Sequence, residues 1–243
     1  MEYSGNESST PFRVLPDTCV ELFISYVESP VANLGTGTEK LRSFVVFRMS
    51  QFMDVEMATK AGCIAICFYP GAAYNFFSLP MNEVSDTVID LNYLWKGIAS
   101  EMEERVFEAG NNQERVNIIQ QYLYMHLVKK IKIDKAVEQC LWQINYLKGQ
   151  LSAKQLSEKI NISQRQLGRR FNSYIGLSPK EFIRTARFIH SLKHLKRYPA
   201  VNLTEIAYES GYYDQAHFIR EYKEFSGFTP GELIASDNII YCL

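Results

Sequence analysis

The sequence has no long apolar run, few histidines and an odd number of scattered cysteines. No stretch approaches the ~18 consecutive apolar residues that a membrane-spanning helix needs, and the N-terminal stretch MEYSGNESSTPF lacks the basic start and apolar centre of a signal peptide. We therefore expect a cytoplasmic protein with no membrane partner. Five cysteines in 243 residues favour reduced thiols over a disulfide framework; they are Cys19, Cys63, Cys67, Cys140 and Cys242.

Sequence motifs of enzyme chemistry are also scarce. The chain has no glycine-rich phosphate loop and no His-x-His metal pair. Cys63 and Cys67 are close enough to form a reactive or metal-binding pair, but their apolar surroundings, GCIAICFYPG, favour two small core residues. His190 and His194 have a spacing that can hold zinc, yet two histidines alone are a weak signal. We expect no catalytic residue, no cofactor and no metal site.

The net charge of −1 conceals an uneven distribution along the chain. Residues 1–128 contain eight Lys and Arg against sixteen Asp and Glu, a net charge of −8. Residues 129–243 contain eighteen against eleven, a net charge of +7. Such a split suggests two domains, of which the second meets a polyanion such as a nucleic acid, although a basic half can also be a solvated surface.

Two patterns of hydrophobic residues support this division. Short runs of β-branched and aromatic residues at 19–27, 41–49 and 62–69 are bounded by turn formers, which predicts strands. From about residue 90 the apolar residues recur at intervals of three and four, which predicts helices. We therefore predict an α+β N-terminal domain over 1–110, a connecting helix over 111–131 and an all-α, basic domain over 132–243.

The all-α region contains an internal repeat with an offset of 51 residues. SQRQLGRRFNSY at 163–174 aligns with DQAHFIREYKEF at 214–225. The match continues where GLSP at 176–179 aligns with GFTP at 227–230. Duplication of this length indicates one structural unit that is used twice.

Each copy begins with the residues that a tight turn between two helices requires. Asn161 and Gly211 are of the types that most readily take the positive φ of a sharp reversal. Ser163 and Asp214 follow at positions where a side-chain oxygen can cap the next helix. The repeated unit is therefore predicted to be a helix-turn-helix.

The second helix of each unit has an apolar face and a polar face. The apolar positions, which we predict to be buried, are Leu167, Phe171, Tyr174, Phe218, Tyr222 and Phe225. Arginine can bind guanine with two hydrogen bonds and glutamine can bind adenine, both in the major groove. We predict that these helices contact bases, through Arg165, Gln166, Arg169, Gln215, His217 and Arg220.

A long uninterrupted segment joins the two units. From Pro179, a favourable first-turn residue, PKEFIRTARFIHSLKHLKR continues to Arg197 without a helix breaker. At 1.5 Å per residue this predicts about 28 Å of helix. Such a rod could place two recognition helices in successive major grooves, which are roughly 34 Å apart.

Residues 152–235 resemble the DNA-binding module of the AraC-type (AraC/XylS) bacterial transcription regulators, through SAKQLSEKINISQRQLGRRF, GLSPKEFIRTARF and IAYESGYYDQAHFIREYKEFSGFTP. The resemblance implies seven helices with two helix-turn-helix units joined by a long helix, and it implies double-stranded DNA and RNA polymerase as partners. By the same resemblance, positions 168 and 216 are also base-facing. Gly168 and Ala216 are shorter than the polar residues often found there. The expected backbone contacts are Ser163, Arg170, Arg184, Arg187, Asp214 and Lys223.

The N-terminal region resembles a poorly characterised domain that precedes some AraC-type modules, through LPDTCVEL at 15–22 and FYPGAAYNFF at 68–77. The resemblance implies a sensor, often a β-barrel, that binds a small molecule. Pro70, Gly71 and Ala72 are small enough for close approach to a ligand, although a tightly packed turn explains them too.

Three alternatives remain open at this point. The N-terminal domain could only oligomerise, and the helix at 111–131 could form a homodimer contact. The chain could also be a DNA-repair enzyme that transfers an alkyl group to a cysteine and carries the same type of DNA-binding module.

Overall fold

The computed structural model describes residues 11–27, 31–32, 41–56, 62–77, 79–127, 134–199 and 202–241. Its N-terminal part begins with six short strands, which are followed by helices and one further strand. The strands are β1 Phe12–Val14, β2 Val20–Ser25, β3 Val31–Ala32, β4 Ser43–Val46, β5 Met53–Glu56, β6 Cys63–Phe68 and β7 Val88–Asp90. The helices are α1 Tyr74–Phe77, the 3₁₀ turn Met81–Glu83, α2 Leu91–Leu94, α3 Ile98–Glu108 and α4 Asn112–His126.

The strands form two four-stranded sheets, with the orders β3-β5-β1-β8 and β6-β2-β4-β7, where β8 is Ile239–Ile240 near the other end of the chain. β2 is the centre of the second sheet and pairs antiparallel with both β4 and β6. Its residues VELFIS are mostly buried, as expected for a β-rich run covered on both faces. The three strands predicted at 19–27, 41–49 and 62–69 are confirmed as β2, β4 and β6.

The helix predicted to connect the two domains belongs to the N-terminal core. Ile118, Ile119 and Tyr122 of α4 are buried in the same cluster as the sheet residues Leu22 and Val45. The predicted segment extends to residue 131, and its last residues lie outside the described part of the chain. The domain bounds at 110 and 131 stay a prediction.

The C-terminal part has seven described helices, which confirms the all-α module with two helix-turn-helix units. They are α5 Lys135–Tyr146, α6 Ala153–Lys159, α7 Gln164–Ile175, α8 Pro179–Arg197, α9 Leu203–Glu209, α10 Gln215–Ser226 and α11 Pro230–Ile234. The first unit is α6 and α7, and the second is α9 and α10. One strand, β8, follows these helices and pairs in parallel with β1 of the N-terminal sheet.

The turn and cap residues take the conformations that the sequence predicts. Asn161 has φ 53° and Gly211 has φ 78°, so both turns use the left-handed region. Ser163 accepts a hydrogen bond from the Gln166 amide, and Asp214 accepts one from the His217 amide. The long helix has the predicted bounds, because Pro179 is its first residue and Ser178 caps it.

α8 supports two separate hydrophobic clusters. Phe182 near its start is fully buried in the cluster of the first unit and meets Phe171 edge to face, with ring centroids 5.8 Å apart. Phe188, one and a half turns later, belongs to the cluster of the second unit, where its ring lies 4.9 Å from that of Tyr222. Five of the six predicted apolar positions are buried, and Tyr174 is half-buried at the edge of its cluster.

The cysteines differ in part from expectation. Cys19, Cys63 and Cys140 are free thiols, as expected, but Cys67 is disulfide-bonded, so the prediction of a reduced thiol is wrong there. Cys63 is buried, whereas Cys67 is exposed and is not a core residue. Cys63 and Cys67 lie on the same face of β6, so the pattern CIAIC could not show that this face is covered at Cys63 and open at Cys67. Cys242 lies outside the described residues.

Phe188 is the residue whose loss should most weaken the second unit. It is fully buried against Tyr222 and Phe225. We expect Phe188→Ala to lower the free energy of unfolding by about 3–5 kcal/mol, measured by denaturant titration, because a large aromatic leaves a cavity. Tyr208→Ala, which removes a mostly exposed aromatic of α9, should change it by less than about 0.5 kcal/mol. Equal effects would contradict this account of the core.

Candidate nucleic-acid interface

The first recognition helix, α7, exposes its predicted base-facing residues. Arg165, Gln166 and Arg169 are all exposed. Gln166 also completes a capping box, because its Oε1 accepts a hydrogen bond from the Ser163 amide at 3.2 Å. That bond leaves the side-chain NH₂ of Gln166 to donate elsewhere. The beginning of α7 is therefore fixed in position while its arginines face outward.

The second recognition helix, α10, places its predicted residues in a less open setting. Arg220 is exposed, whereas Gln215 and His217 are half-buried. Gln215 accepts a hydrogen bond from the Thr204 hydroxyl at 2.9 Å, which ties α10 to α9. The His217 ring lies 3.8 Å from the Glu221 carboxylate. Arg220 is thus the most accessible of the predicted base contacts on α10.

A concave surface of about 670 Å³ lies between the two units on the side of these residues. Its basic lining residues are Lys154, Lys180, Arg184, Arg187, His217 and Arg220. A second hollow lies along α7 and is lined by Arg165 and Arg169 of the helix together with Asn82 of the N-terminal domain. Predicted DNA-facing residues of both units therefore border open, cationic surfaces.

Three arginines predicted to contact phosphates are engaged within the protein. Arg170 binds both carboxylate oxygens of Asp134, at 2.7 and 2.8 Å. Arg184 and Arg187 both bind the buried carboxylate of Glu221, at 3.0 Å. These pairs join elements that are far apart in sequence, so the periodicity of a single helix could not reveal them.

A second carboxylate completes the network around Arg184. Glu224 accepts a hydrogen bond from Arg184 at 2.6 Å and is about half exposed. This hydrogen bond is the main cause that raises the pKa of the Arg184 guanidinium. The remaining predicted backbone residues are two helix caps and one lysine: Ser163 and Asp214 cap their helices, and Lys223 is exposed.

Two exposed tyrosines near α10 were not predicted from the sequence. Tyr213, directly before the cap Asp214, is 85% exposed, and Tyr208 on α9 is 60% exposed. Both carry a hydroxyl that can bind a phosphate oxygen. Tyr208 aligns with Glu158 of the first unit, and Tyr213 is the one extra residue of the second turn, so the repeat gave no signal for them.

The small residues proposed as ligand contacts form a turn that faces the first unit. Ala72 donates a backbone hydrogen bond to Tyr69 at 2.8 Å, and Gly71 has φ 81°. A Cβ atom on Gly71 would lie 3.3 Å from Cδ1 of Ile175 at the end of α7. Gly71 is therefore placed against the helical domain, and a ligand role for Pro70, Gly71 and Ala72 stays a proposal.

The cysteine chemistry of a repair enzyme has little support in the described residues. Burial raises the pKa of the Cys63 thiol, which disfavours the thiolate needed for nucleophilic attack. Cys67 is disulfide-bonded. Across the described ranges, no group of three or more His, Cys, Asp or Glu side chains could hold a metal ion. No helix within those ranges is both long enough and apolar enough to cross a membrane.

Two copies of the same cap, turn and recognition helix, held on one long helix, define a double helix-turn-helix DNA-binding module. Residues 156–236 match a family described as a helix-turn-helix domain, and residues 1–90 match a domain of unknown function, DUF6597. The C-terminal part of the chain is therefore an AraC-type helix-turn-helix domain, as the resemblance indicated.

Proteins with similar sequences include bacterial transcription regulators. The HTH-type transcriptional activator RhaS of Salmonella schwarzengrund (strain CVM19633) is 25% identical over 125 residues, which is 51% of this chain and 37% of RhaS. The HTH-type transcriptional regulator MtrA of Neisseria gonorrhoeae is 31% identical over 107 residues, 44% of this chain and 31% of MtrA. The matched segment thus spans about a third of each relative.

Solved structures with a similar fold extend over both domains. ToxT from Vibrio cholerae is 12% identical, with a TM-score of 0.51 and coverage of 97% of both chains. A ToxT structure bound to (E)-4-(8-methylnaphthalen-1-yl)but-3-enoic acid is 13% identical, with a TM-score of 0.50 and coverage of 93% of both chains. At this identity the comparison shows the fold: an N-terminal domain with sheets and a helical C-terminal domain.

The Glu221 carboxylate should contribute strongly to the stability of the module. Glu221 is 1% exposed between Arg184 and Arg187. We expect Glu221→Gln to lower the free energy of unfolding by about 1–3 kcal/mol in denaturant titrations, because two cations lose a charged partner. Glu224→Gln is the matched control, and it should cost less than about 1 kcal/mol because Glu224 is half exposed. A larger effect at Glu224 would contradict the central role of Glu221.

Proposed function

We propose that this protein is a transcription regulator that binds duplex DNA in a sequence-specific manner through α7 and α10. The observation that carries the proposal is the duplicated unit: two capped recognition helices, 51 residues apart in sequence, packed on a single 19-residue helix. A helix of about 28 Å suits two contacts one duplex turn apart. The relatives RhaS and MtrA, which are transcriptional regulators, support the same role.

The base contacts are assigned to side chains near the start and middle of each recognition helix. Arg169 and Arg220 occupy equivalent positions and are both exposed, so they are the strongest candidates for guanine. Arg165, Gln166, Gln215 and His217 are the further base-facing residues. Lys223, Tyr213 and the amides at the helix starts are the phosphate contacts that the structure leaves most accessible.

Substitution of the two equivalent arginines tests base reading directly. We expect Arg169→Ala and Arg220→Ala each to weaken binding to a selected duplex by about 1–3 kcal/mol and to relax the preference at one base pair. The measurement is a binding titration against the selected duplex and against all single base-pair variants of it. Arg42→Ala is the matched control, since it removes an exposed arginine of the N-terminal domain. Equal weakening on every duplex would assign both arginines to phosphates instead.

We also propose that the N-terminal domain senses a small molecule and that the protein is not an enzyme. One ToxT structure holds an aromatic butenoic acid. The shared fold supports a ligand of similar size that carries a carboxylate group. RNA polymerase is the expected second macromolecular partner, in the bacterial cytoplasm. The alternatives are a domain that only forms a homodimer and an alkyl-transfer enzyme.

Thermal unfolding with ligands separates these alternatives. The panel contains metabolites and the butenoic acid that is bound in a ToxT structure. We expect one ligand of this panel to raise the unfolding temperature, because a ligand at 100 times its Kd stabilises the folded state by about 2.7 kcal/mol. No stabilisation, together with a stable dimer in sedimentation, would support oligomerisation alone. A gain of an alkyl group on Cys63, or on Cys67 after reduction of its disulfide, would contradict the proposed regulator. It would be detected by mass spectrometry after incubation with alkylated DNA.

A further inference from the structure

Both recognition helices end at a glycine, and the N-terminal domain contacts both glycines. Gly176 ends α7 with φ 82°, and Gly227 ends α10 with φ 75°. The two glycines are equivalent in the repeat, because they are 51 residues apart. The N-terminal domain therefore meets the same point of each unit, although the two contacts use different residues.

The first contact is a hydrogen bond with close backbone packing. The Ser85 hydroxyl is 2.9 Å from the Gly176 carbonyl, to which it donates. A Cβ atom on Gly176 would lie only 2.8 Å from both the Met81 carbonyl oxygen and Ser85 Oγ, so no larger residue fits. Two residues before Gly176, the ring of Tyr174 packs on that of Tyr74, with centroids 4.8 Å apart.

The second contact is built around a guanidinium. Arg13 donates a hydrogen bond to the Ser226 carbonyl at 3.1 Å, and its guanidinium lies over the rings of Phe52 and Phe228, at 4.0 and 4.5 Å. Asp54 holds Arg13 in place through two bonds of 2.7 Å. A Cβ atom on Gly227 would lie 2.8 Å from Arg13 Nη1.

Asp86 joins the two contacts within the N-terminal domain. Its backbone amide donates to the Arg48 carbonyl at 2.9 Å, and its carboxylate accepts a hydrogen bond from the Ser50 amide. The segment 48–52, which ends at Phe52 beside Gly227, is thereby bonded to the segment 81–86, which contains Ser85 beside Gly176. These two bonded segments, together with Arg13, which packs on the ring of Phe52, are called the brace below.

The brace also carries a buried charge that faces the start of α8. Arg48 is 7% exposed, and its Nε has no hydrogen-bond partner among the described residues. The carboxylates whose charge acts on it are Asp86 and Asp17 of the N-terminal domain and Glu181, in the first turn of α8. The brace therefore contacts the end of each recognition helix and lies electrostatically close to the helix between them.

We propose that Ser85, Asp86 and Arg13 are positioning residues for DNA recognition: the brace fixes the relation between α7 and α10 and thereby sets which spacing of two half-sites the protein accepts. The inference rests on the proposed function, since it concerns how the same two helices meet DNA. It adds that the N-terminal domain contributes to specificity without touching a base.

The relation between α7 and α10 needs the brace because the two units pack separately on α8. Each has its own hydrophobic cluster on α8, and the side chain of Gln150, which bonds the Glu209 carbonyl at 2.6 Å, is a direct link between them. A recognition helix held along one side by α8 can still change its tilt at the free end. Contact of the brace with the C-terminal ends of both recognition helices removes this freedom. A recognition helix then cannot shift to bind a half-site that is displaced by one base pair.

The test measures how binding depends on the spacing between the two half-sites, and not affinity alone. A duplex is first selected by the wild-type full-length protein from random sequence, and versions with one base pair inserted or removed between the half-sites are then prepared. We expect wild type to discriminate against altered spacing, and Asp86→Gly to reduce this discrimination by roughly 5-fold or more, while binding to the original duplex changes much less. Glycine suits this position because Asp86 has φ 58°.

Two further variants guard against a general loss of structure. Ser85→Ala removes the hydroxyl at Gly176 and should reduce spacing discrimination in the same direction. Ser100→Ala removes a comparable hydroxyl, bonded to Asn92 at 2.7 Å within the N-terminal domain, and should leave discrimination unchanged. Unchanged discrimination in both Asp86→Gly and Ser85→Ala, or equal loss in Ser100→Ala, would overturn the proposal.

Amide hydrogen exchange separates failure of this inference from failure of the proposed function. If wild type selects no sequence, the proposed function is wrong, and the brace is then judged by exchange alone. We expect the amides at 172–178 and at 223–229 to exchange roughly 5-fold faster or more in Asp86→Gly than in wild type. Equal exchange rates in both proteins would show that the brace does not hold the helix ends.

Discussion

The helical domain depends on the burial of two aromatic stripes against one helix. Phe171 and Tyr222 occupy equivalent positions of the repeat, and each is fully buried against a phenylalanine of α8. Because Phe182 and Phe188 are six residues apart on α8, the two recognition helices are displaced along the rod and rotated around it. Without this shared support, each two-helix unit would be too small to bury a core of its own.

The same geometry explains why part of the positive charge is directed inward. Glu221 follows Arg220 directly on α10, so its side chain points toward α8 while Arg220 faces outward. There it neutralises Arg184 and Arg187, which would otherwise crowd two cations against a buried face. Charge counted along the sequence therefore overstates the charge available to a polyanion, because Arg184 and Arg187 are neutralised within the protein.

Local features were predictable because their causes are local. Positive φ at Asn161 and Gly211, the caps Ser163 and Asp214, and the bounds of α8 follow from residue type and spacing, and all agree with the structure. The ion pairs of α8 with α10, the disulfide state of Cys67 and the pairing of β8 with β1 required long-range information. The half-burial of Tyr174 belongs to the same group, since its partner Tyr74 lies 100 residues away in sequence.

The duplication produced two units of one shape but different electrostatics. α7 contains three arginines and no acidic residue, whereas α10 contains one arginine and one lysine against two glutamates. The exposed Lys and Arg side chains are nevertheless equal in number, because Arg170 is bound to Asp134. This leaves Arg165 and Arg169 exposed on α7, against Arg220 and Lys223 on α10. The difference lies in the carboxylates, because Glu221 and Glu224 of α10 bind arginines of α8, whereas α7 has no acidic residue. α10 is therefore held on α8 by buried ion pairs as well as by aromatic packing, whereas α7 is held on α8 by aromatic packing.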